Sequence, residues 1–167
     1  MRGGAPHLRA VRILLQCNGN RRGLEQSREP GMSEDQIQLR REVYREDVEE
    51  VREWMRDERV TEHLNEDQNI GAALDRAIHE SSLPIFTPQL NADGRFFLLT
   101  LPGEGPIGFV RLASRPGAAE MVIVIGKPHL WRKGYSLKAL RRGLKHAFLT
   151  WRKDKVIRPI FSVWLRL

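Results

Sequence analysis

The segment Trp131–Leu137, with the sequence WRKGYSL, joins basic side chains and a glycine to the start of an amphipathic stretch. Gly134 carries no Cβ, so the backbone there can approach a ligand closely. The first N–H groups of a helix that starts at this point have no intrahelical partners, and together with the helix dipole they attract anions. Arg132, Lys133 and Lys138 add positive charge. The segment therefore predicts an anion site that suits a pyrophosphate.

The spacing alone leaves two interpretations open, a ligand-binding turn and a plain turn before a helix. The segment Trp131–Leu137 is not a P-loop, since the pattern G-x-x-x-x-G-K-[ST] does not occur in the chain, and it does not match the dinucleotide pattern G-x-G-x-x-G. The five histidines have no metal-ligand spacing, so we predict no metal site.

The elements on either side of this segment indicate how it is held. A helix is predicted over Leu137–Trp151, because its apolar residues recur on one face: Leu137, Leu140, Leu144, Ala147, Phe148 and Trp151. An apolar strand, Glu120–Ile125, precedes it, and a second strand, Lys155–Phe161, follows it. A helix between two strands permits a parallel crossover, and ligands of such sheets lie where strands end and helices begin.

The rest of the chain predicts a mixed sheet with helices, an α/β (α+β) fold. Arg95–Leu101, Pro106–Ala113 and Glu120–Ile125 are separated by tight turns and form an antiparallel meander. The earlier elements are a strand at Ile37–Leu39, helices at Tyr44–Asp57 and Asn69–Ser82, a helical turn at Val60–Leu64 and a proline-containing loop at Ser81–Asn91.

Three segments of the sequence resemble the central motif of GNAT N-acetyltransferases. These segments are Pro106–Leu112, Ala119–Ile125 and Trp131–Leu140, and the similarity extends more loosely over Gln36–Ile157. The most similar branch contains the ribosomal-protein N-terminal acetyltransferases, which typically read W-G-K-G-Y-[GA]-x-x-A-[LI] at the phosphate turn. The chain keeps Trp131, Lys133, Gly134, Tyr135, Ala139 and Leu140, and it departs at Arg132 and Ser136, where small residues are usual.

The resemblance implies the GNAT acyl-CoA N-acyltransferase fold with acetyl-CoA as co-substrate. The pantetheine arm would lie between Glu120–Ile125 and Lys155–Phe161, and the pyrophosphate would bind the backbone amides of Arg132–Ser136. The cofactor-binding residues implied are Ile123, Val124, Ile125, Trp131, Arg132, Lys133, Gly134, Tyr135 and Ser136.

The reaction implied is direct transfer of the acetyl group to a primary amine in a ternary complex. The acceptor would be a peptide N-terminus or a small-molecule amine. A backbone N–H of the strand would stabilise the developing oxyanion, and Glu120, at the start of that strand, is the candidate general base. The alternative interpretation of Glu120 is a solvated carboxylate at a strand end.

The two ends of the chain carry separate expectations. Residues 1–31 hold six arginines, two glutamates and one apolar run, Val11–Leu15, so we predict a dispensable disordered extension. Residues 32–167 would then form the GNAT domain. The family continues after its fifth strand with a helix and two strands that the sequence here does not resemble. We therefore expect an incomplete fold, and an impaired remnant that binds only acyl-CoA, or that acts as an interaction module, is the alternative function.

The composition bounds the other function classes. The chain has a net charge of +7, but four of these charges fall in residues 1–31 and no nucleic-acid-binding motif is present, which argues against a nucleic-acid partner. No apolar run reaches the roughly 18 residues of a membrane span. A single cysteine, Cys17, excludes an internal disulfide framework and suits the cytoplasm. A homodimer is left open.

Overall fold

The computed structural model describes the backbone of residues 11–16, 37–62, 64 and 70–160, and the side chains of residues 37–62, 64 and 70–157. The strands are β1 (Val11–Gln16), β2 (Gln38–Arg40), β3 (Gly94–Leu101), β4 (Gly105–Arg115), β5 (Ala118–Ile125) and β6 (Lys155–Ile160). The α-helices are α1 (Arg45–Arg56), α2 (Glu58–Thr61), α3 (Ile70–Glu80), α4 (Thr87–Leu90) and α5 (Tyr135–Lys145). A 3₁₀ turn, Pro128–Leu130, precedes α5, and a π-helical turn, His146–Thr150, follows it.

The strands form one mixed sheet in the order β1-β6-β5-β4-β3-β2. Strands β2 to β5 are antiparallel neighbours, whereas β5 and β6 run parallel. Helix α5 makes the crossover between these two parallel strands, as such a pair requires. The predicted α/β mixed sheet is therefore confirmed, with its meander and its parallel pair.

Helices cover both faces of the sheet. On one face, Val122 and Val124 of β5 lie in a buried cluster with Trp54 of α1 and with residues of α3. On the other face, Met121 lies in a buried cluster with Ala139 of α5. Side chains alternate between the faces along a strand, so consecutive residues of β5 belong to different clusters. The strand is thus held from both sides.

Helix α1 is fixed to the neighbouring strand at its first turn. The Asp47 carboxylate accepts the N–H of Tyr44 at 2.8 Å and pairs with the guanidinium of Arg40 in β2. This contact satisfies one of the N–H groups that a helix start leaves unpaired. Asp47, in the acidic first turn of this helix, therefore serves as its cap.

The helix predicted over Leu137–Trp151 differs from the prediction at both ends. It begins at Tyr135, because Gly134 adopts φ 79° and lets the chain enter the helix directly. It leaves the α conformation after Lys145, and the N–H of Trp151 donates to the carbonyl of His146 at 2.9 Å. An apolar face fits an α-helix and a π turn alike, so periodicity does not separate them.

Two predictions upstream also shift. The loop expected over Ser81–Asn91 contains the short helix α4, which has Pro88 in its first turn, a position that tolerates proline. The helical turn expected over Val60–Leu64 lies slightly earlier, at α2.

Strand β1 corrects the disordered extension expected over residues 1–31. Val11–Gln16 pairs antiparallel with β6 over six residues, from Val11 opposite Ile160 to Gln16 opposite Lys155. The apolar, β-branched run VRILL suits a strand, and β6 needs a partner on the edge that faces away from β5. The other residues of the expected extension lie outside the described residues, and so do residues 161–167 of the tail. Within the described part of the chain, no helix is long and apolar enough to cross a bilayer.

Candidate active site

Strands β5 and β6 are paired over a short stretch only. Ala119 lies opposite Val156 and Glu120 lies opposite Ile157. Beyond this point β5 continues to Ile125 beside β4, whereas β6 remains paired with β1. The two parallel strands therefore separate towards the end of β5. We call the opening between them the gap.

The register of β5 decides which of its backbone groups face the gap. The N–H of Gly126 donates to the carbonyl of Ile107 at 2.9 Å, and hydrogen-bonded and non-bonded pairs alternate along an antiparallel ladder. Ile123 and Ile125 therefore turn their N–H and C=O groups towards the gap. Val124 turns its groups towards β4, so its predicted hydrogen bond to the pantetheine arm conflicts with the sheet. Of the three predicted strand residues, the geometry thus leaves two with backbone groups facing the gap.

Trp131 ties the following turn to the end of β5. Its indole Nε1–H donates to the carbonyl of Ile125 at 2.8 Å. This contact uses one of the acceptors that face the gap and fixes where the turn begins. Trp131 therefore has a structural role, because it links β5 to the turn by this hydrogen bond.

The predicted phosphate turn contains two residues in the left-handed backbone region. Arg132 has φ 62° and Gly134 has φ 79°. Left-handed residues next to a helix start turn successive N–H groups in one direction and create an anion-binding concavity. The N–H groups of residues 135–137 open α5, while that of Lys138 already bonds to the carbonyl of Gly134 at 3.2 Å. Lys133 and Ser136 are exposed, and Tyr135 is half-buried.

Arg132 stands where the family motif has a small residue, and the structure explains that preference. A left-handed conformation costs a side-chain-bearing residue roughly 1–2 kcal/mol, a cost that glycine does not incur. The Arg132 side chain itself is exposed. The departure from the motif therefore acts through the backbone conformation, and the side chain does not pack inside the turn.

Lys138 brings a buried positive charge to the first turns of α5. It is 7% exposed, and its ammonium lies 5.6 Å from the ring centroid of Tyr135. No carboxylate among the described residues pairs with it. The positive charge predicted around the turn therefore comes from inside the fold as well as from the exposed Arg132 and Lys133.

Glu120 lies at the residue pair where β5 and β6 part. It is 6% exposed, and its Oε2 accepts from Nε of Arg115 at 2.7 Å and lies 2.6 Å from NH2 of the same guanidinium. This excludes the solvated carboxylate that was the alternative interpretation. Both contacts go to Oε2, so Oε1 is the oxygen left to take a proton. A carboxylate that is buried and oriented in this way can act as a base on a group held at the narrow end of the gap.

Two residues near the turn were missed by sequence reasoning. Gly126 lies under the indole of Trp54, and a Cβ at position 126 would come within 2.0 Å of that ring. Lys127 donates to the carbonyl of Glu104 at 2.8 Å and pairs with Glu50 at 3.6 Å. A glycine directly after a buried strand was the available signal, since such a glycine often marks a close approach. The Lys127 contacts join segments distant in sequence and leave no local pattern.

No cluster of three or more metal-ligating side chains lies within the described part of the chain. The gap, the outward backbone groups of β5 and the basic turn match a ligand with an amide-containing arm and a pyrophosphate, as acetyl-CoA has.

Comparisons with known proteins agree with this geometry. The family model of the acetyltransferase (GNAT) domain matches residues 38–162. A GNAT-family acetyltransferase from Bacillus anthracis is 18% identical with a TM-score of 0.53, covering 74% of this chain and 69% of that one. Spermidine N-acetyltransferase from Vibrio cholerae, in complex with CoA and spermine, is 18% identical with a TM-score of 0.54, covering 74% and 70%.

A domain from Methanocaldococcus jannaschii is 14% identical with a TM-score of 0.52, covering 73% of this chain and 75% of that one. None of the proteins with curated functions matches the chain by sequence. At these identities the structural likeness shows the fold, whereas the family model spans most of the chain. The chain belongs to the GNAT acetyltransferase family.

Proposed function

We propose that the protein transfers the acetyl group of acetyl-CoA directly to a primary amine. The observation that carries this proposal is the parting of β5 from β6 beyond Glu120, beside a basic turn with two left-handed residues. An open parallel strand pair that ends at a helix start offers hydrogen bonds to an extended arm and an anion site at its end. Bound acetyl-CoA would supply the activated acetyl group.

Every predicted site residue except Val124 has a defined part in this proposal. The backbone of Ile123 and the N–H of Ile125 bind the pantetheine arm, and the amides of residues 132–136 bind the pyrophosphate. Lys133 and the buried Lys138 add positive charge there. Trp131 holds the turn against β5.

The chemical step forms a C–N bond, breaks the thioester C–S bond and moves two protons. An amine is protonated at neutral pH, so it must lose one proton before attack and another after it. Glu120 takes a proton through Oε1, while Arg115 holds the carboxylate in place. A backbone N–H of β5 that faces the gap donates to the developing oxyanion. The departing thiolate takes up one proton.

Two acceptor classes are supported by separate observations. The motif over Trp131–Leu140 resembles the branch that acetylates ribosomal-protein N-termini, which favours a peptide α-amine. The spermidine N-acetyltransferase from Vibrio cholerae shares the fold, which favours a small polyamine. Cytoplasmic location and a homodimer remain predictions.

The test is thiol release from acetyl-CoA by the full chain, with peptides, spermidine and spermine as acceptors, alongside calorimetry with CoA. We expect CoA binding and amine-dependent thiol release. CoA binding without thiol release for any acceptor would favour the alternative of an acyl-CoA-binding protein. Absence of CoA binding would contradict the assignment of the gap.

A further inference from the structure

A second cavity lies at the other end of α5 from the phosphate turn. It has a volume of about 350 Å³ and lies between α4, the beginning of β3 and the π-helical turn His146–Thr150. Helix α5 has 11 residues, so the two ends are about 16 Å apart. The cavity is therefore separate from the phosphate turn, and none of its described lining residues belongs to β5 or β6, the strands that form the gap.

Positive charge converges on this cavity. Arg41, Arg95 and His146 line it, and none of its described lining residues is acidic. Arg41 has no ion pair among the described residues. The Arg95 guanidinium donates to its neighbour's carbonyl, at Gly94, at 2.9 Å and lies 5.5 Å from the ring centroid of Trp151. Two guanidinium groups on one cavity repel each other unless an anion lies between them.

His146 leaves a buried polar atom without a partner at the same place. Its Nε2 is buried and makes no hydrogen bond, while its ring packs edge-on against Phe97 with centroids 4.6 Å apart. Burial lowers the pKa of His146, and the charges of Arg41 and Arg95 lower it further. An orphaned buried polar atom in a native fold calls for a partner. An anion in the cavity would be that partner, and it would also offset the two guanidinium charges.

The π-helical turn places His146 and Trp151 beside each other in the wall of this cavity. In a regular α-helix, Trp151 would point about 140° away from His146, since each residue advances about 100°. The wider turn, closed by the hydrogen bond from Trp151 N–H to His146 C=O, brings the two residues to the same side. Such π turns occur often at functional sites.

Other contacts hold the remaining walls. Thr87 in α4 accepts the N–H of Val43 at 2.9 Å and donates to the carbonyl of Arg41 at 3.4 Å, which fixes the segment that carries Arg41. The Asn91 side-chain oxygen accepts the N–H of Phe96 at 2.6 Å, so its amide N–H groups are the donors left for a ligand.

We propose that this cavity binds a phosphate group, most favourably that of a small phosphate monoester. Guanidinium forks and an imidazole match the several acceptor oxygens of a tetrahedral dianion. The volume exceeds that of a phosphate alone and falls in the range of small-molecule sites. The aromatic rings of Phe97 and Trp151 suit the organic part of an ester.

The test follows the imidazole signals of His146 by NMR during titration with inorganic phosphate and with phenyl phosphate, at constant ionic strength in chloride. The signals are assigned with His146→Gln. We expect saturable shifts, a rise in the His146 pKa on binding, and tighter binding of the ester. Tighter binding of inorganic phosphate would overturn the preference for an ester.

Arg41→Gln and Arg95→Gln change exposed side chains, so neither threatens the core. Each should weaken binding by about ten-fold or more, which corresponds to the loss of one charge-assisted contact. The control Arg76→Gln removes an exposed arginine of α3 that does not line the cavity. Gly134→Val, which alters the phosphate turn, should leave the His146 response unchanged.

The proposal fails if neither probe shifts His146 saturably, or if Arg76→Gln weakens binding as much as the cavity variants do. It also fails if Gly134→Val removes the response, because the anion would then bind at the phosphate turn.

Discussion

Arg132 occupies a backbone conformation that glycine adopts at lower cost. Arg132→Gly should raise the free energy of unfolding by up to about 1 kcal/mol, since the relief of left-handed strain exceeds the added entropy of the unfolded chain. The same change should tighten CoA binding if strain distorts the phosphate turn. Denaturant unfolding and calorimetry measure the two effects.

Arg152 provides a matched control, because it is also left-handed, with φ 54°, and follows the π-helical turn beyond α5. Arg152→Gly should stabilise the fold similarly without changing the affinity for CoA. Equal affinity changes in both variants would show that the effect is not local to the turn.

Glu120 is buried and forms an ion pair with Arg115. Two variants distinguish its proposed role as general base from its role in that ion pair. Glu120→Gln keeps the shape of the side chain and should lower kcat by about 10²-fold or more, the range of general-base catalysis. The free energy of unfolding should fall by only about 1 kcal/mol, since Arg115 is partly exposed. Steady-state thiol release measures kcat, and denaturant unfolding measures the stability.

Arg115→Gln removes the partner and keeps the carboxylate. It should retain most of the turnover. If Arg115→Gln abolished turnover while Glu120→Gln retained it, the base would have to be sought elsewhere.

His146 predicts a pH dependence of stability. Its pKa in the folded state is lowered from 6.5, first by burial and then by Arg41 and Arg95. The unfolded chain therefore binds the proton more readily, so stability is highest above pH 6.5 and falls as the pH drops below it. His146→Gln should flatten this fall, whereas His79→Gln, which changes an exposed histidine of α3, should not. Thermal unfolding across this pH range measures the pH dependence of stability. If stability fell with pH as steeply in His146→Gln as in the unmodified chain, the prediction would be wrong.

The phosphate turn and α5 act as one unit, and Gly134 is the residue where they join. Gly134→Val should weaken CoA binding strongly, because a β-branched residue resists the left-handed conformation and its side chain would crowd the ligand. Gly117→Val is the control, since Gly117 has φ 65° in the β4–β5 turn with nothing within 4 Å of its Cβ position. It should lose comparable stability and keep its affinity for CoA in calorimetry. Equal affinity losses in both variants would argue for general destabilisation.

Elements with a strong local pattern were predictable, and elements made by distant contacts were not. The meander, α5 and β6 each carry their own apolar period, so the mixed sheet and the phosphate turn follow from the sequence. The opposite directions of Ile123 and Val124 depend on the register with β4, which no local pattern fixes. The residues that line the cavity at His146 lie between positions 41 and 151 of the chain. Because they are distant in sequence, no local pattern predicts that they come together.

One edge of the sheet is closed by a strand that composition alone assigned to a dispensable extension. Strand β1 covers the edge of β6 that faces away from β5, and its loss would leave the backbone groups of that edge unpaired. Deleting residues 1–31 should therefore lower the free energy of unfolding by at least about 1 kcal/mol, a drop in Tm of about 2–4 °C for a chain of this size. Deleting residues 1–10 keeps β1 and is the control. Ile13→Pro, which removes an N–H from the strand opposite Arg158, should reproduce part of the loss in the full-length chain. If the long deletion unfolds at the same temperature as the full chain, β1 contributes nothing to the fold, and the domain boundary near residue 32 stands as first predicted.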